Sequence, residues 1–190
     1  IRVGLVGFGY ASKTFHAPLI GGTPGMALKA VASSDADKVH ADWPGVKVMS
    51  APGDLLDDPD IDLVVIATPN DTHFPLAKAA LEAGKHVVVD KPFTVTLSQA
   101  RELESLAKHC GRILSVFHNR RWDSDFLTVS ALINEGQLGE VCYFESHFDR
   151  FRPQVRRRWR EQAGPGSGIW YDLAPHLLDQ VVVLFGLPVS

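Results

Sequence analysis

The first twelve residues constrain the fold of this chain more than any other stretch. They read IRVGLVGFGYAS, an apolar run that ends in Gly7-Phe8-Gly9. A run this short and this apolar is typical of a parallel strand that is buried on both faces. Glycines after such a strand let the backbone turn sharply and approach a ligand without a Cβ in the way. A helix that begins there directs its free N–H groups at the ligand, so the stretch predicts a pyrophosphate site.

The dinucleotide fingerprint G-x-G-x-x-G is incomplete in this chain, because Ser12 stands where the third glycine is usual. Taken alone, G-x-G also fits an ordinary strand-to-helix turn. The context favours the phosphate site, since strand and helix patterns alternate as far as Phe117 and polar clusters follow the strands. Such alternation implies right-handed βαβ crossovers, a parallel sheet, and ligand binding at the carboxyl ends of its strands.

The patterns predict an α/β chain with two domains. A Rossmann domain with a doubly wound parallel sheet covers residues 1–117, and the N-terminal part of an α+β open-sheet domain covers residues 118–190. Thr96 and Gln99 predict a capping box in the first domain, at the start of a helix that Gly111 ends. The other elements predicted for that domain are strands at residues 27–32, 63–67, 86–89 and 113–117 and helices at residues 75–83 and 97–110.

The second domain is predicted to contain a helix at residues 124–134, a strand at residues 141–148 and a further helix. The further helix is expected to begin near Asp172, because Pro175 fits only the first turn of a helix. It is expected to end near Gly186. One strand and two helices cannot close a core of their own, so we expect the chain to be truncated.

Composition narrows the classes of function. The chain has 190 residues, 45% of them hydrophobic, and a formal net charge of −3, which gives no general reason to expect nucleic acid or a membrane as a partner. Cys110 and Cys142 lack metal or redox spacing and favour a reducing, cytoplasmic location. Six of the eleven residues from Arg150 to Arg160 are arginine. The run is short and acidic residues elsewhere balance it, so we do not expect it to bind nucleic acid. No compact ligand set predicts a metal.

The end of the second predicted strand bears on which cofactor binds. An NAD-specific site usually places an acidic residue there to bond the ribose 2′-hydroxyl, and Ser33 occupies that position. A small hydroxyl tolerates a 2′-phosphate that a carboxylate would repel. The sequence therefore favours NADP over NAD, with Ser33, Ser34 and Lys38 around the phosphate. In the alternative interpretation, Asp35 caps the next helix and the pattern carries no information on the cofactor.

Two polar clusters follow later strands. Thr68-Pro69-Asn70 ends one strand, and its threonine and asparagine are expected to present polar groups over the sheet edge. A turn in which Asp71 or Thr72 caps the following helix explains part of this cluster but gives no role to His73. Asp90-Lys91-Pro92 ends the next strand. A lysine at the carboxyl end of a buried strand is expected to point into the cleft, although a surface lysine would also fit.

These motifs, at these spacings, resemble the Gfo/Idh/MocA oxidoreductases, which are sugar and polyol dehydrogenases with a Rossmann domain and an open-sheet second domain. The usual Glu-Lys-Pro of the family is Asp-Lys-Pro here, a change that keeps the charge. The stretch at residues 117–123 is similar to a branch that contains NADP-dependent scyllo-inositol dehydrogenase. The resemblance implies hydride transfer between a nicotinamide and a secondary alcohol of a sugar or an inositol-like polyol. It also implies a homo-oligomer, with the second domain serving substrate binding and dimerisation.

The glycine-rich stretch at residues 164–168 leads into the last predicted helix, where Asp172 and His176 lie four residues apart on one face. The family places its catalytic Asp-x-x-x-His at these positions. We hypothesise that His176 takes the proton from a substrate hydroxyl, since an imidazole suits a base at neutral pH. Asp172 would orient the ring, and Lys91 would stabilise negative charge on the substrate oxygen. The alternative function is a non-catalytic sensor or transcriptional regulator with the same fold, which would not need these three residues.

The fingerprint and the resemblance together give a full set of candidate residues. The candidates for binding the cofactor are Gly7, Gly9, Tyr10, Ala11, Ser12, Ser33, Ser34, Thr68, Pro69, Asn70, His73, Asp90, Lys91, Asn119, Trp159 and Arg160. The candidates for binding the substrate are Lys91, Arg121, Arg150, Asp172 and His176, with Tyr143, His147 and Arg152 as further groups that could bond hydroxyls.

Overall fold

The computed structural model of the chain describes residues 1–149, 151, 153–154 and 161–189. The chain divides into two compact units, Ile1–Phe117 and His118–Ser190. Four of the residues predicted to serve the site lie outside the described residues, namely Arg150, Arg152, Trp159 and Arg160. Across the described ranges, no helix combines the length and the apolar character that crossing a membrane requires.

The first unit is built on a six-stranded parallel sheet with the strand order β3-β2-β1-β4-β5-β6. The order reverses between β1 and β4, which is the topological switch point of a Rossmann fold. The strands are β1 Arg2–Val6, β2 Ala27–Ala32, β3 Lys47–Met49, β4 Leu63–Ile66, β5 His86–Asp90 and β6 Leu114–Phe117. The helices are α1 Ala17–Gly22, α2 Ala36–His40, α3 Pro52–Leu56, α4 Asn70–Glu82 and α5 Leu97–Cys110, with a π-helical segment at Ser12–His16 before α1.

The sheet is buried on both faces, as its apolar runs predict. Successive residues of β4 alternate between two separate apolar clusters: Val64 and Ile66 belong to the cluster that contains Leu81, and Val65 belongs to the cluster that contains Val39. Side chains of a strand point alternately to opposite faces. A fully apolar strand is therefore needed here, and the predicted α/β class with a doubly wound sheet is confirmed.

Helix α5 has the predicted boundaries and caps. The Thr96 hydroxyl accepts a hydrogen bond from the Gln99 N–H at 3.3 Å, and the Gln99 side chain accepts one from the Thr96 N–H at 3.3 Å. Gly111 ends the helix at a φ of 62°. The capping box satisfies two N–H groups that the helix itself leaves without a partner.

Thr96→Ala is expected to lower the free energy of unfolding by about 1 kcal/mol, because it leaves the Gln99 N–H without its acceptor. Urea denaturation of the variant and the wild type measures the difference. Thr23→Ala provides the control, since the Thr23 hydroxyl donates to the Leu19 carbonyl of its own helix and caps no N–H group. Equal losses in the two variants would contradict the prediction.

Strand β3 and helix α3 of the first unit were not predicted, α2 was expected only in the alternative interpretation of Asp35, and one helix begins earlier than expected. Strand β3 has three residues, and α2 and α3 have five each, which is too short for a hydrophobic period to emerge. Helix α4 begins at Asn70, so Pro75 lies inside it. The predictions that this helix begins at Pro75 and that Asp71 or Thr72 is its cap are therefore wrong, because the capping position belongs to Pro69.

The second unit contains a 3₁₀ helix, Asn119–Trp122, followed by α6, Ser124–Asn134, which has its predicted bounds. Helix α7, Gly168–Phe185, begins four residues before the predicted start and holds Pro175 in its interior. The strand predicted at residues 141–148 is absent from the described part of the chain. A strand is defined by hydrogen bonds to a neighbour, and the alternating pattern alone does not provide one.

Candidate functional site

A pocket of about 470 Å³ lies at the carboxyl ends of β1 to β4, at the switch point of the sheet. The structure brings together here six of the residues that the sequence predicts for the cofactor: Gly7, Gly9, Ser33, Ser34, Lys38 and Thr68. The other lining residues are Val6, Phe8, Ala32, Asp35, Ser50 and Pro52. Each polar group follows a strand end, which is where a parallel sheet collects its ligand contacts.

The glycine loop is shaped by two different requirements. Gly7 has a φ of +89°, and a Cβ there would lie 2.7 Å from the carbonyl oxygen of Ala67, so a side chain is excluded by the fold itself. A Cβ on Gly9 would meet no protein atom within 4 Å, although Gly9 lines the pocket. The space above Gly9 is therefore open to a ligand. This combination fits a dinucleotide whose pyrophosphate lies against the loop.

Ser12, at the third position of the fingerprint, is fully buried. Its hydroxyl donates a 2.8 Å hydrogen bond to the carbonyl oxygen of Gly7. Ser12 thus fixes the conformation of the loop through this hydrogen bond, and its buried hydroxyl is already bound to the protein's own backbone. Tyr10, two residues earlier, has an exposed ring that contacts Phe15 edge to face, at 6.1 Å between ring centroids.

The end of β2 presents hydroxyls and an ammonium to the pocket. The Ser33 hydroxyl accepts a 3.2 Å hydrogen bond from the N–H of Asp35. The Asp35 carboxylate accepts a 2.9 Å bond from the Lys38 N–H and is the N-cap of α2. The carboxylate that could have held a ribose hydroxyl is therefore used as a helix cap, as the alternative interpretation of this stretch holds. Lys38 itself is one of the residues that line the pocket.

His73 joins the loops that follow β4 and β5. Its ring is fully buried. Nδ1 lies 2.8 Å from the carbonyl oxygen of Pro92, and Nε2 lies 3.0 Å from the carbonyl oxygen of Thr68. Both ring nitrogens lie against backbone carbonyls, so His73 has a structural role in joining these two loops, and its predicted contact with the cofactor stays a prediction. Asn70, at the start of α4, is also buried.

The Asp90-Lys91 turn is held by contacts of the Asp90 carboxylate. The Asp90 carboxylate accepts a 2.7 Å hydrogen bond from the backbone N–H of Lys91. Its second oxygen lies 3.8 Å from Nε2 of His16, a residue that is 4% exposed. Burial raises the pKa of Asp90, but attraction to the His16 ring and the N–H of Lys91 outweighs it, so the pKa lies below its usual range.

Asp90→Asn is expected to destabilise the first unit in a pH-dependent way. Because folding lowers the pKa of Asp90, its contribution to stability is present above the unfolded-state value of about 3.9 and is lost as the pH falls through the lower folded-state value. We expect a loss of about 1–3 kcal/mol near pH 6 that shrinks below about pH 3. Urea denaturation at both pH values measures it. Asp57→Asn, at an exposed carboxylate, is the matched control; a pH-independent loss would contradict the prediction.

In the second unit, α7 carries Asp172 and His176 on one face. The His176 ring is 7% exposed and lies edge to face with Phe148, at 6.4 Å between ring centroids. Both residues make contacts within the structure. Asn119, a candidate for the cofactor, begins the 3₁₀ helix of this unit.

Arg121 has a partner that the sequence did not predict. Its guanidinium donates two hydrogen bonds to Asp179 of α7, at 2.7 and 2.6 Å. This fork ties the 3₁₀ helix to α7, with a further bond at 3.1 Å from the Gln180 side chain to the Arg120 carbonyl. The pKa of Arg121 is raised by its hydrogen bonds to Asp179. Arg121 therefore orients α7, and two of its donors are already used.

Sequence reasoning missed Ser50 and Pro52, because they follow the short strand β3 that was not predicted. It also missed His16, which belongs to no motif that was considered. The one signal for Ser50 and Pro52 is the valine-methionine pair that precedes a Ser-Ala-Pro turn. No sequence period signals His16, because a π-helical segment breaks the helical period around it.

Comparison with known proteins places these features in a family. A family model described as "Oxidoreductase family, NAD-binding Rossmann fold" matches residues 1–118, and the model of its C-terminal alpha/beta domain matches residues 130–190. The uncharacterized oxidoreductase YdgJ of Escherichia coli is 79% identical over 100% of this chain and 55% of its own length. The scyllo-inositol 2-dehydrogenase (NADP(+)) IolW of Bacillus subtilis is 39% identical over 99% of this chain and 52% of its own length.

Among solved structures, the YPO2259 oxidoreductase of Yersinia pestis superposes with a TM-score of 0.93 and 71% sequence identity. The match covers 99% of this chain and 53% of that one. The chain thus spans about half the length of the relatives that it matches.

Proposed function

The chain belongs to the Gfo/Idh/MocA oxidoreductase family, and from this premise we propose that it forms the nucleotide-binding half of an NAD(P)-dependent dehydrogenase. The reaction is hydride transfer between a nicotinamide and a secondary alcohol of a sugar or cyclic polyol. The observation that carries the proposal is the pocket at the switch point, where an open space above Gly9 meets a lining that includes Ser33, Ser34 and Lys38.

The lining of the pocket fits a dinucleotide. The backbone of Gly7 and Gly9 would hold the pyrophosphate, and Thr68 would face the cofactor from the far side of the switch point. Ser33, Ser34 and Lys38 would surround the adenosine ribose. NADP is the preferred cofactor in this proposal, because Lys38 favours a 2′-phosphate and the Asp35 carboxylate accepts the N-cap hydrogen bond of α2. When bound, the nicotinamide supplies the hydride chemistry, and the protein supplies position and proton management.

His176 is the proposed base. It takes the proton from the substrate hydroxyl as the carbon that carries this hydroxyl gives its hydride to the nicotinamide. In the reverse direction, it returns the proton to the substrate oxygen. Asp172, one turn earlier on α7, orients the imidazole and stabilises its charged form. Lys91 stabilises the negative charge that develops on the substrate oxygen. Partial burial of His176 against Phe148 limits the water that competes for this proton.

One relative supports the proposed substrate class. IolW carries the name scyllo-inositol 2-dehydrogenase (NADP(+)), and its 39% identity extends over 99% of this chain. We therefore propose an inositol-like polyol as substrate, with the cytoplasm as the location and a homo-oligomer as the assembly. The free cysteines Cys110 and Cys142 agree with a reducing compartment.

A turnover assay of the full chain tests the proposal. A panel of inositols and aldoses is offered first with NADP and then with NAD, and nicotinamide absorbance measures the rate. Activity on a cyclic polyol with NADP supports it. Binding of NADP without turnover of any alcohol in the panel would favour a sensor and would overturn the enzymatic proposal.

Lys38→Glu is expected to weaken NADP binding roughly tenfold or more while changing NAD binding about twofold or less. The substitution places a negative charge where the 2′-phosphate would lie. Lys29→Glu, at an exposed position of β2, is the matched control, and fluorescence titration with NADPH and NADH gives the dissociation constants. Equal weakening of both cofactors would contradict the assignment of Lys38.

A further inference from the structure

We infer that His16 is a positioning residue for Lys91 and acts through the carboxylate of Asp90, which lies between them. The inference rests on the proposed function for the role of Lys91 in the reaction. The contacts themselves belong to the first unit and do not depend on that role.

Asp90 connects the two residues because its two oxygens face different groups. Oδ1 accepts the 2.7 Å hydrogen bond from the Lys91 N–H. Oδ2 faces Nε2 of His16 at 3.8 Å. A carboxylate that turned away from His16 would also lose its alignment with the Lys91 N–H, since both oxygens belong to one rigid planar group. The orientation of the carboxylate therefore couples His16 to the backbone of Lys91.

His16 is itself fixed and almost fully buried. It ends the π-helical segment Ser12–His16, and its ring stacks at a tilt against Phe117, with 4.2 Å between ring centroids. The other end of that segment is Ser12, whose hydroxyl holds the Gly7 carbonyl. One short segment thus contacts both the phosphate-binding loop and the turn that presents Lys91. Single π-helical turns of this kind occur frequently at functional sites.

The other side of Lys91 is held independently. The carbonyl of Pro92 contacts Nδ1 of His73 at 2.8 Å, and His73 is fully buried. Lys91 therefore lies between two anchored neighbours, with a carboxylate contact before it and a carbonyl contact after it. The contact between His16 and the Asp90 carboxylate, together with the contact of His73 with Pro92, restricts the orientation of the Lys91 backbone from both sides. The catalytic benefit of such fixing is orientation of the ammonium before the substrate binds.

Amide hydrogen exchange of Lys91 tests the inference without any assay of activity. His16→Phe keeps a ring against Phe117 and removes the nitrogen that faces Asp90. We expect the exchange of the Lys91 N–H to rise at least about tenfold. The Val87 N–H, which bonds to the Ile113 carbonyl at 2.9 Å, should change about twofold or less. Phe117→Leu removes the ring contact and keeps the His16 nitrogen that faces Asp90, so its Lys91 exchange is expected to rise less than that of His16→Phe.

The second readout separates positioning from general damage. In the full chain, His16→Phe is expected to lower kcat roughly tenfold while the dissociation constant of NADP changes about twofold or less. Unchanged Lys91 exchange in His16→Phe would overturn the inference, as would an equal rise of exchange at Val87. If the wild type turns over no alcohol, the proposed function fails, and the exchange of Lys91 still decides the role of His16.

Discussion

Gly9→Val is expected to abolish measurable binding of NADP while leaving the fold intact, with affinity falling roughly 100-fold or more. Backbone conformation at Gly9 allows a side chain, and a Cβ there meets no protein atom within 4 Å. The added isopropyl group therefore enters the open space of the pocket, where the pyrophosphate would approach the loop. Fluorescence titration with NADPH measures the affinity, and urea denaturation measures the stability.

Two other glycines make this experiment discriminating. Gly22→Val, in α1, also adds its side chain where no atom lies within 4 Å, and it is expected to bind NADP like the wild type. Gly7→Val is expected to lose stability together with binding, because the new Cβ would clash with the Ala67 carbonyl at 2.7 Å. Normal binding by Gly9→Val would show that the ligand does not lie against this loop.

The sequence was most informative where burial makes the pattern unambiguous. Strands β2, β4, β5 and β6 lie within one or two residues of their predicted bounds. The unbroken apolar run of β4 is what a strand buried on both faces requires. Strand β3 and helix α3 were missed, since elements of three to five residues are too short to show a period. The predicted lining of the pocket lacked Ser50 and Pro52 for the same reason, because both residues follow β3.

Two local patterns, prolines and alternating polarity, led to wrong predictions because neither reports on packing with distant residues. Pro75 and Pro175 were expected near helix starts, and both lie inside helices. Tertiary packing outweighs the cost of a single lost N–H bond in a long helix. The alternating pattern at residues 141–148 predicted a strand, but pairing needs a neighbour, and alternation does not specify one.

Motif positions were easier to predict than the roles of the side chains that occupy them. His73 and Ser12 belong to stretches that the sequence marked for the cofactor, and both bind the protein's own backbone carbonyls. Arg121, marked for the substrate, donates to Asp179. Spacing specifies which residues come near a site, but the direction of each side chain depends on neighbours distant in the chain. His16 illustrates the reverse case, because its contact with Asp90 spans elements that no local pattern connects.

His176→Ala is expected to lower turnover roughly 100-fold or more, with NADP binding changed about twofold or less. The dinucleotide pocket is lined entirely by residues of the first unit, whereas His176 belongs to α7 of the second. Removal of the proposed base therefore affects the chemical step and spares the cofactor. Steady-state rates with an inositol and titration with NADPH separate the two effects. Leu178→Ala, an exposed position on the same helix, controls for damage to α7.

Chemical rescue then distinguishes a base from a packing residue at this position. Added imidazole can enter the space left by His176→Ala and accept the substrate proton, so part of the lost rate is expected to return in proportion to its concentration. It should not restore a helix that has shifted, because a free imidazole does not replace the contact between His176 and Phe148 within the fold. Turnover near the wild-type rate in His176→Ala would remove His176 from the mechanism, and a lost rate that imidazole leaves unchanged would assign it to packing.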